Sequence, residues 1–507
     1  MIKIPKKMNV LFIITDTQRA NYLSCMGNPN LKTPNIDSIG ENGVIFTNCF
    51  SANPFCMPNR ATIATGKYPN VHGVRSNGIN LPSNVPTIYE TLSKRGWHTA
   101  SIGKLHFQNY LPARTKKYKS VENVLAWAYQ KDYKDLLKEF PKPYYGFEDV
   151  EITLGHGDLV MGHYTEWLEE RDPKYIDYIR EKLPKTFDEL SYDTIVPEEL
   201  YPTTYIKERT IKFLENHAKG EHGDKPFFLH CSFPDPHPPS CPPGKYKDMY
   251  KPEDVELPIS FKNLENLKNH KLLGPYLENP VFKGIIRGST EEEVRNFIAG
   301  SYGIISMIDD AVGEILTSLE KLGLAENTIV IYTSDHGYLR GEHGLVIMGP
   351  CPFTAMLNVP LLWRVPGLTK SAVSSSLVSS VDIPKTILNL LGISEKRQPE
   401  RMQGVDITPV LKDSNEKVRD CCIIEEDEEF GNYKIRVRHL VTETHKLTLY
   451  EGMEDFGDLY DRINDPEDLN NLWDDESVKD LRCQLITKLF HEYLKIQSRY
   501  PERMAPT

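Results

Sequence analysis

Two short runs constrain the fold of this chain more than any other feature: Val-Leu-Phe-Ile-Ile at 10–14 and Thr-Ile-Val-Ile-Tyr at 328–332. Both are apolar, rich in β-branched residues and free of polar alternation, which is the pattern of strands buried on both faces of a parallel sheet. Each ends in a polar cluster with an acid, Thr15-Asp16-Thr17-Gln18 and Thr333-Ser334-Asp335-His336-Gly337. In open α/β sheets ligands collect beyond the carboxyl ends of the strands, which is where Asp16, Asp335 and His336 fall. Between them, residues 291–322 place Phe297, Ile304, Met307, Ile308, Val312, Ile315 and Leu319 at spacings of mostly three and four, a helical core face that stops near Gly323.

The expected fold class is therefore α/β, a large mixed and mostly parallel sheet flanked by helices. A smaller C-terminal α+β domain follows. Residues 1–395 form the first unit, in which 108–200, rich in Lys, Tyr, Glu and Pro and weakly periodic, reads as an insertion of loops and short helices on the substrate side. Residues 396–507 form the second, with strand-like runs at 421–424, 435–441 and 446–450 and a helix over 478–496. The acidic run 425–429 reads as a solvated loop.

The 60 basic and 71 acidic residues leave a net charge of −11, so no global positive field is available for nucleic acid or an anionic membrane. An anionic substrate must be held by a local focus of charge. The nine cysteines lack the spacing of a disulfide scaffold or of paired zinc knuckles, which points to a reducing compartment. The N-terminal apolar run is too short for a signal peptide, and no stretch reaches the 18 or more residues of a membrane span, so a cytoplasmic location is expected. Oligomeric state is not readable.

The chemistry concentrates in Cys56-Met57-Pro58-Asn59-Arg60, followed by a helical pattern to Gly66. Pro58 suits the first turn of a helix and Gly66 the position just past its end, which puts Cys56 at a helix N-terminus. Free N–H groups and the positive end of the dipole favour an anion there, and Arg60, four residues on, adds a planar fork on the same face.

Cys-x-Pro-x-Arg resembles the signature of the type I sulfatases of the alkaline phosphatase superfamily. The resemblance implies that a maturation enzyme oxidises Cys56 to formylglycine, whose hydrate attacks a sulfate ester while bound to a divalent metal. Further motifs match in order. Asp16, Asp335 and His336 resemble the metal ligands, completed by residue 56; calcium is the first expectation and manganese the second. Gly103-Lys104-Leu105-His106 resembles the element in which Lys104 bridges sulfate and nucleophile and His106 takes the proton of the nucleophile's hydroxyl. His237, in Pro234-Asp235-Pro236-His237-Pro238-Pro239, resembles the residue that contacts sulfate and protonates the leaving oxygen. Asn77, in Arg75-Ser76-Asn77-Gly78, is placed at the substrate oxyanion.

Two departures stand out. Many members carry a second Asp where this chain has Thr17, leaving Thr17 or Gln18 to supply an oxygen. Many also carry a lysine where this chain has Met348, which makes His343 a candidate replacement at the substrate.

The resemblance implies hydrolysis of a sulfate monoester, with a sulfated carbohydrate expected before an aryl ester. A phosphonate monoesterase or phosphodiesterase is the runner-up; relatives of that kind share the signature and the Asp-His pair but not Lys-x-His. A non-catalytic sulfated-glycan-binding relative is motivated by Met348 and Thr17. A cysteine phosphatase is excluded by spacing, because its loop needs five residues between Cys and Arg where this chain has three.

Overall fold

The computed structural model describes residues 7–112, 120–129, 133–183, 189–283, 286–430 and 433–498. A nine-stranded mixed sheet runs, edge to edge, through Ala372–Ser374, Val44–Phe46, Leu361–Arg364, Thr328–Ser334, Asn9–Thr15, Phe227–Ser232, His98–Gly103, Asp149–His156 and Leu159–Gly162. Its five central strands, from Thr328–Ser334 to Asp149–His156, are all parallel. Every residue of Asn9–Thr15 and Thr328–Ser334 is buried, as continuous apolar runs require.

The register aligns the carboxyl ends. Thr15 pairs with Ser334, Ile14 with Ser232, and Ser232 with Gly103, so the residues that follow these strands emerge along one edge of the sheet. At Gly103 the strands close so tightly that a Cβ would lie 1.8 Å from the Ser232 carbonyl oxygen, and its φ of +107° is one that glycine adopts freely. Lys104 leaves the sheet from this point.

Helix Glu291–Lys321 matches its sequence signal and starts on a capping box formed by Thr290 and Glu293. Helix Pro202–Ala218 packs beside it. The segment 108–200 differs from expectation. Besides helices such as His163–Arg171 and Lys174–Lys182, it contributes the strands Asp149–His156 and Leu159–Gly162, which extend the main sheet.

After it come four antiparallel strands, Cys421–Phe430, Tyr433–Thr442, His445–Tyr450 and Gly457–Asp461, with helix Lys479–Ile496 against them. One expectation is overturned here: the acidic run 425–429 is the second half of the first strand, and Glu425, Glu426, Asp427 and Glu428 are buried. Each acid has a partner. Glu425 accepts from Asn70, Glu426 faces His439, Asp427 pairs with Arg436 and Arg438, and Glu428 accepts from Ser76. Among the described residues no helix is long and apolar enough to cross a membrane.

Candidate active site

Helix Cys56–Thr65 begins at the cysteine and closes at Gly66 in the left-handed conformation (φ +68°). Pro58 is its third residue, where a missing N–H leaves no bond unmade. All ten residues are buried. The helix therefore sets Cys56 and Arg60 inside the protein, against the carboxyl edge of the sheet.

Four side chains converge there: Asp16, Cys56, Asp335 and His336 each offer a donor atom within 4.8 Å of the others. The Cys56 Sγ lies 3.1 Å from His336 Nε2 and 3.8 Å from Asp16 Oδ1. His336 donates through Nδ1 to the Gly337 carbonyl at 2.7 Å, which fixes the tautomer and turns the Nε2 lone pair toward the cluster. Asp335 Oδ1 accepts from the Thr17 and His336 N–H groups (3.0 and 2.8 Å), while its Oδ2 pairs with Arg60 Nε at 2.7 Å. Two carboxylates and one imidazole make a donor set for a hard divalent cation that leaves room for further oxygen ligands; Thr17, whose N–H bonds Asp335, keeps its Oγ1 buried without a hydrogen-bond partner.

Positive charge surrounds the cluster. Arg60 Nη1 donates to the Lys104 carbonyl and to Ser232 Oγ, both at 3.0 Å, leaving Nη2 buried without a hydrogen bond, 3.7 Å from Asp16 Oδ2. Lys104 contacts Asp16 and donates to His156 Nε2 at 2.9 Å. Burial alone would raise the Asp16 carboxyl, but Lys104, His237, Arg60 and His156 together hold it well below the ordinary carboxylate range. Burial and then Asp16 push the Cys56 thiol well above its ordinary value. Burial thus disfavours the thiolate of an unmodified Cys56.

A cavity of about 400 Å³ lined by Met57, Asn77, His106, Tyr110, His156 and His237 among others adjoins the cluster through Met57, the neighbour of Cys56, and through His156, the partner of Lys104. His106 stacks on Tyr110 with ring centroids 3.8 Å apart, and its Nδ1 is buried without a partner. His237 stacks on His156 at 3.6 Å and its Nδ1 donates to the Pro238 carbonyl at 2.6 Å, which leaves Nε2 for the cavity. Asn77 lines the wall while its Oδ1 accepts the Met57 N–H at 3.0 Å.

Of the residues singled out in the sequence, Asp16, Thr17, Cys56, Arg60, Asn77, Lys104, His106, His237, Asp335 and His336 come together here. Two do not, and both correct the sequence expectation. Gln18 Oε1 accepts from Tyr332 and Thr15 (2.6 and 2.9 Å) and its Nε2 donates to the Tyr22 carbonyl at 2.9 Å, so its amide is spent inside the fold. His343 stacks on Phe353 at 3.7 Å, bonds Asn263 at 2.9 Å, and lines a separate cavity with Arg19 and Glu342. Met348 packs against apolar side chains. Sequence reading missed His156, at the end of the strand next to the sheet's edge strand, inside the weakly periodic segment; its signal was a histidine between Gly155 and Gly157.

Comparison with known proteins agrees with this geometry. The family model described as "Sulfatase" matches residues 8–393, and one described as "N-sulphoglucosamine sulphohydrolase, C-terminal" matches 341–495. An arylsulfatase of Clostridium perfringens is 29% identical over 496 residues, covering 95% of this chain and 94% of its own. An ulvan-active sulfatase of Formosa agariphila is 26% identical over 502 residues, covering 98% and 83%. The crystal structure of a phosphonate monoester hydrolase of Agrobacterium radiobacter superposes with a TM-score of 0.78 at 24% identity, covering 97% of this chain and 96% of that one.

Proposed function

The chain belongs to the sulfatase family and is a sulfuric ester hydrolase, and on that premise we propose that Cys56, oxidised to formylglycine by a maturation enzyme, is its nucleophile position. The observation that carries the proposal is the buried cluster of Asp16, Cys56, Asp335 and His336 at the head of a helix, ringed by Arg60 and Lys104. When formed, an aldehyde hydrate at position 56 supplies one hydroxyl to attack sulfur and a second whose deprotonation expels sulfate.

Asp16, Asp335 and His336, with Thr17 Oγ1 in reserve, would hold one divalent cation, calcium before manganese, which supplies charge to offset the anionic ester. Arg60 offers Nη2, which makes no hydrogen bond within the protein, to a sulfate oxygen, and Lys104, held by His156, presents an ammonium to the same anion. His106, whose Nδ1 has no other partner, takes the proton of the second hydroxyl. Asn77 faces the ester oxygens. The cavity has room for a single ring, and Tyr110 with the His156–His237 stack supplies flat faces suited to a sulfated sugar. All nine cysteines are free, which fits a reducing, cytoplasmic setting.

The test is an activity panel of sulfated saccharides, aryl sulfates and phosphate diesters on protein whose residue 56 has been weighed by peptide mass spectrometry. Turnover of sulfate esters by protein with formylglycine at 56 is expected. Full activity with an unmodified thiol would sink the nucleophile assignment, and preference for phosphate diesters would favour the phosphonate-hydrolase reading.

His237 is the proposed acid for the leaving oxygen. Burial, against the opposing pull of Asp16, lowers it to about 4 in the free site, and an arriving anion favours the protonated ring. His237→Ala should therefore cost little on activated aryl sulfates and about 10²-fold or more on sugar alcohol esters. The measurement is rate against leaving-group pKa; an equal loss on every ester would mean that His237 only binds sulfate.

A further inference from the structure

The acidic strand Cys421–Phe430 reaches both sides of the helix that begins at Cys56. On the approach, the Glu425 N–H donates to the Ala52 carbonyl at 2.9 Å and the Glu425 carbonyl accepts from Asn53 Nδ2 at 2.6 Å. Asn53 Oδ1 in turn accepts the N–H of Phe55, the residue before the helix, at 2.9 Å. Beyond the helix, the Glu425 carboxylate takes the N–H and Nδ2 of Asn70 (2.9 and 2.8 Å). Farther along, Glu428 Oε2 accepts from Ser76 Oγ at 2.8 Å, and Asn77 follows Ser76 directly in the chain. Asn77 is the residue whose Oδ1 holds the Met57 N–H, and the Gly78 N–H faces Met57 Sδ at 3.0 Å.

A run of bonds thus leads from Glu428 through Ser76 and Asn77 to the amide next to residue 56. Helix Cys56–Thr65 makes no side-chain cap of its own, so its first orphaned N–H groups depend on such outside acceptors. We propose that Glu428 is a positioning residue for the nucleophile: by fixing Ser76 and Asn77 it holds the Met57 amide, and with it the first turn that presents residue 56.

The proposal rests on residue 56 being the nucleophile, and it gives the C-terminal sheet a part in catalysis. Burial raises the Glu428 carboxyl to about 8, so near pH 7 it is neutral and glutamine matches its shape and charge. An acid that only satisfied a domain contact would leave the Met57 amide indifferent to its loss.

The experiment uses full-length, matured, metal-loaded protein with Glu428→Ala and Glu428→Gln, reading kcat and KM on a sulfate ester, and amide hydrogen exchange at Met57 and along the strand Asn9–Thr15. Glu428→Ala should lower kcat about tenfold with KM within about twofold. It should also speed exchange at Met57 while Asn9–Thr15 stays protected, and Glu428→Gln should restore both. Ser76→Ala breaks the same contact from the other side and decides the matter if Glu428→Ala does not fold. Parent-like exchange at Met57, or a uniform rise across the sheet, overturns the proposal. Because exchange is read without turnover, it tests the contact even if the assignment of residue 56 fails.

Discussion

Cys56→Ala abolishes sulfate-ester turnover, by about 10⁴-fold or more, while the protein still folds. Both halves follow from the site. The cysteine lies at the first turn of its helix, and the substitution removes one sulfur atom from a buried position and leaves Arg60, Asp335 and Lys104 in their contacts. The stability cost is that of a small cavity, on the order of 1 kcal/mol. The catalytic cost is total for covalent chemistry through residue 56, because alanine has no group to form the sulfated intermediate. Rate measurement with a thermal melt on the same preparation checks this. A folded Cys56→Ala protein with more than a hundredth of parent activity would show that the chemistry runs elsewhere.

Exhaustive chelation should likewise remove activity, and added calcium or manganese should restore it, with one ion per chain by elemental analysis. The sharper version is Asp335→Asn. Asp335 accepts from two backbone N–H groups on one oxygen and from the Arg60 fork on the other. An amide must turn its NH₂ toward one of these donors, so it misplaces Arg60 or the backbone of Thr17 and His336, besides losing a charge from the donor set. Activity should fall on the order of 10³-fold and ion content well below one per chain. An active enzyme that binds no ion after chelation would defeat the assignment of Asp16, Asp335 and His336.

What could be read from the sequence divides along a physical line. The strands at 10–14 and 328–332 were legible because burial on both faces leaves an unbroken apolar run, and the helix after Cys56 because Pro58 and Gly66 mark its ends. The acidic run 425–429 was not. Carboxylates in a row look the same whether water or Asn70, Ser76, Arg438 and His439 receive them, and some of those partners lie hundreds of residues away. Gln18 and His343 fail for a related reason: residue type permits a role, but Tyr332 and Phe353 decide where the side chain points. His156 was hidden by a segment whose strands have little periodicity of their own.

The depth of Cys56 has a consequence in time. The side chain is 2% exposed, and His336, which helps to close the site around it, follows 280 residues later in the chain. Any enzyme that oxidises this cysteine needs it, and a stretch of backbone around it, in an accessible form that the finished helix denies. If residue 56 is oxidised as proposed, the oxidation must precede closure of the helix, while the chain is growing or not yet folded. At about 5–20 residues per second, the interval between the emergence of Cys56 and of His336 lasts roughly a quarter of a minute to a minute. On the proposed maturation, the ribosome's pace would set the earliest part of a race between modification and closure, and a chain that lost the race would be folded, stable and inert.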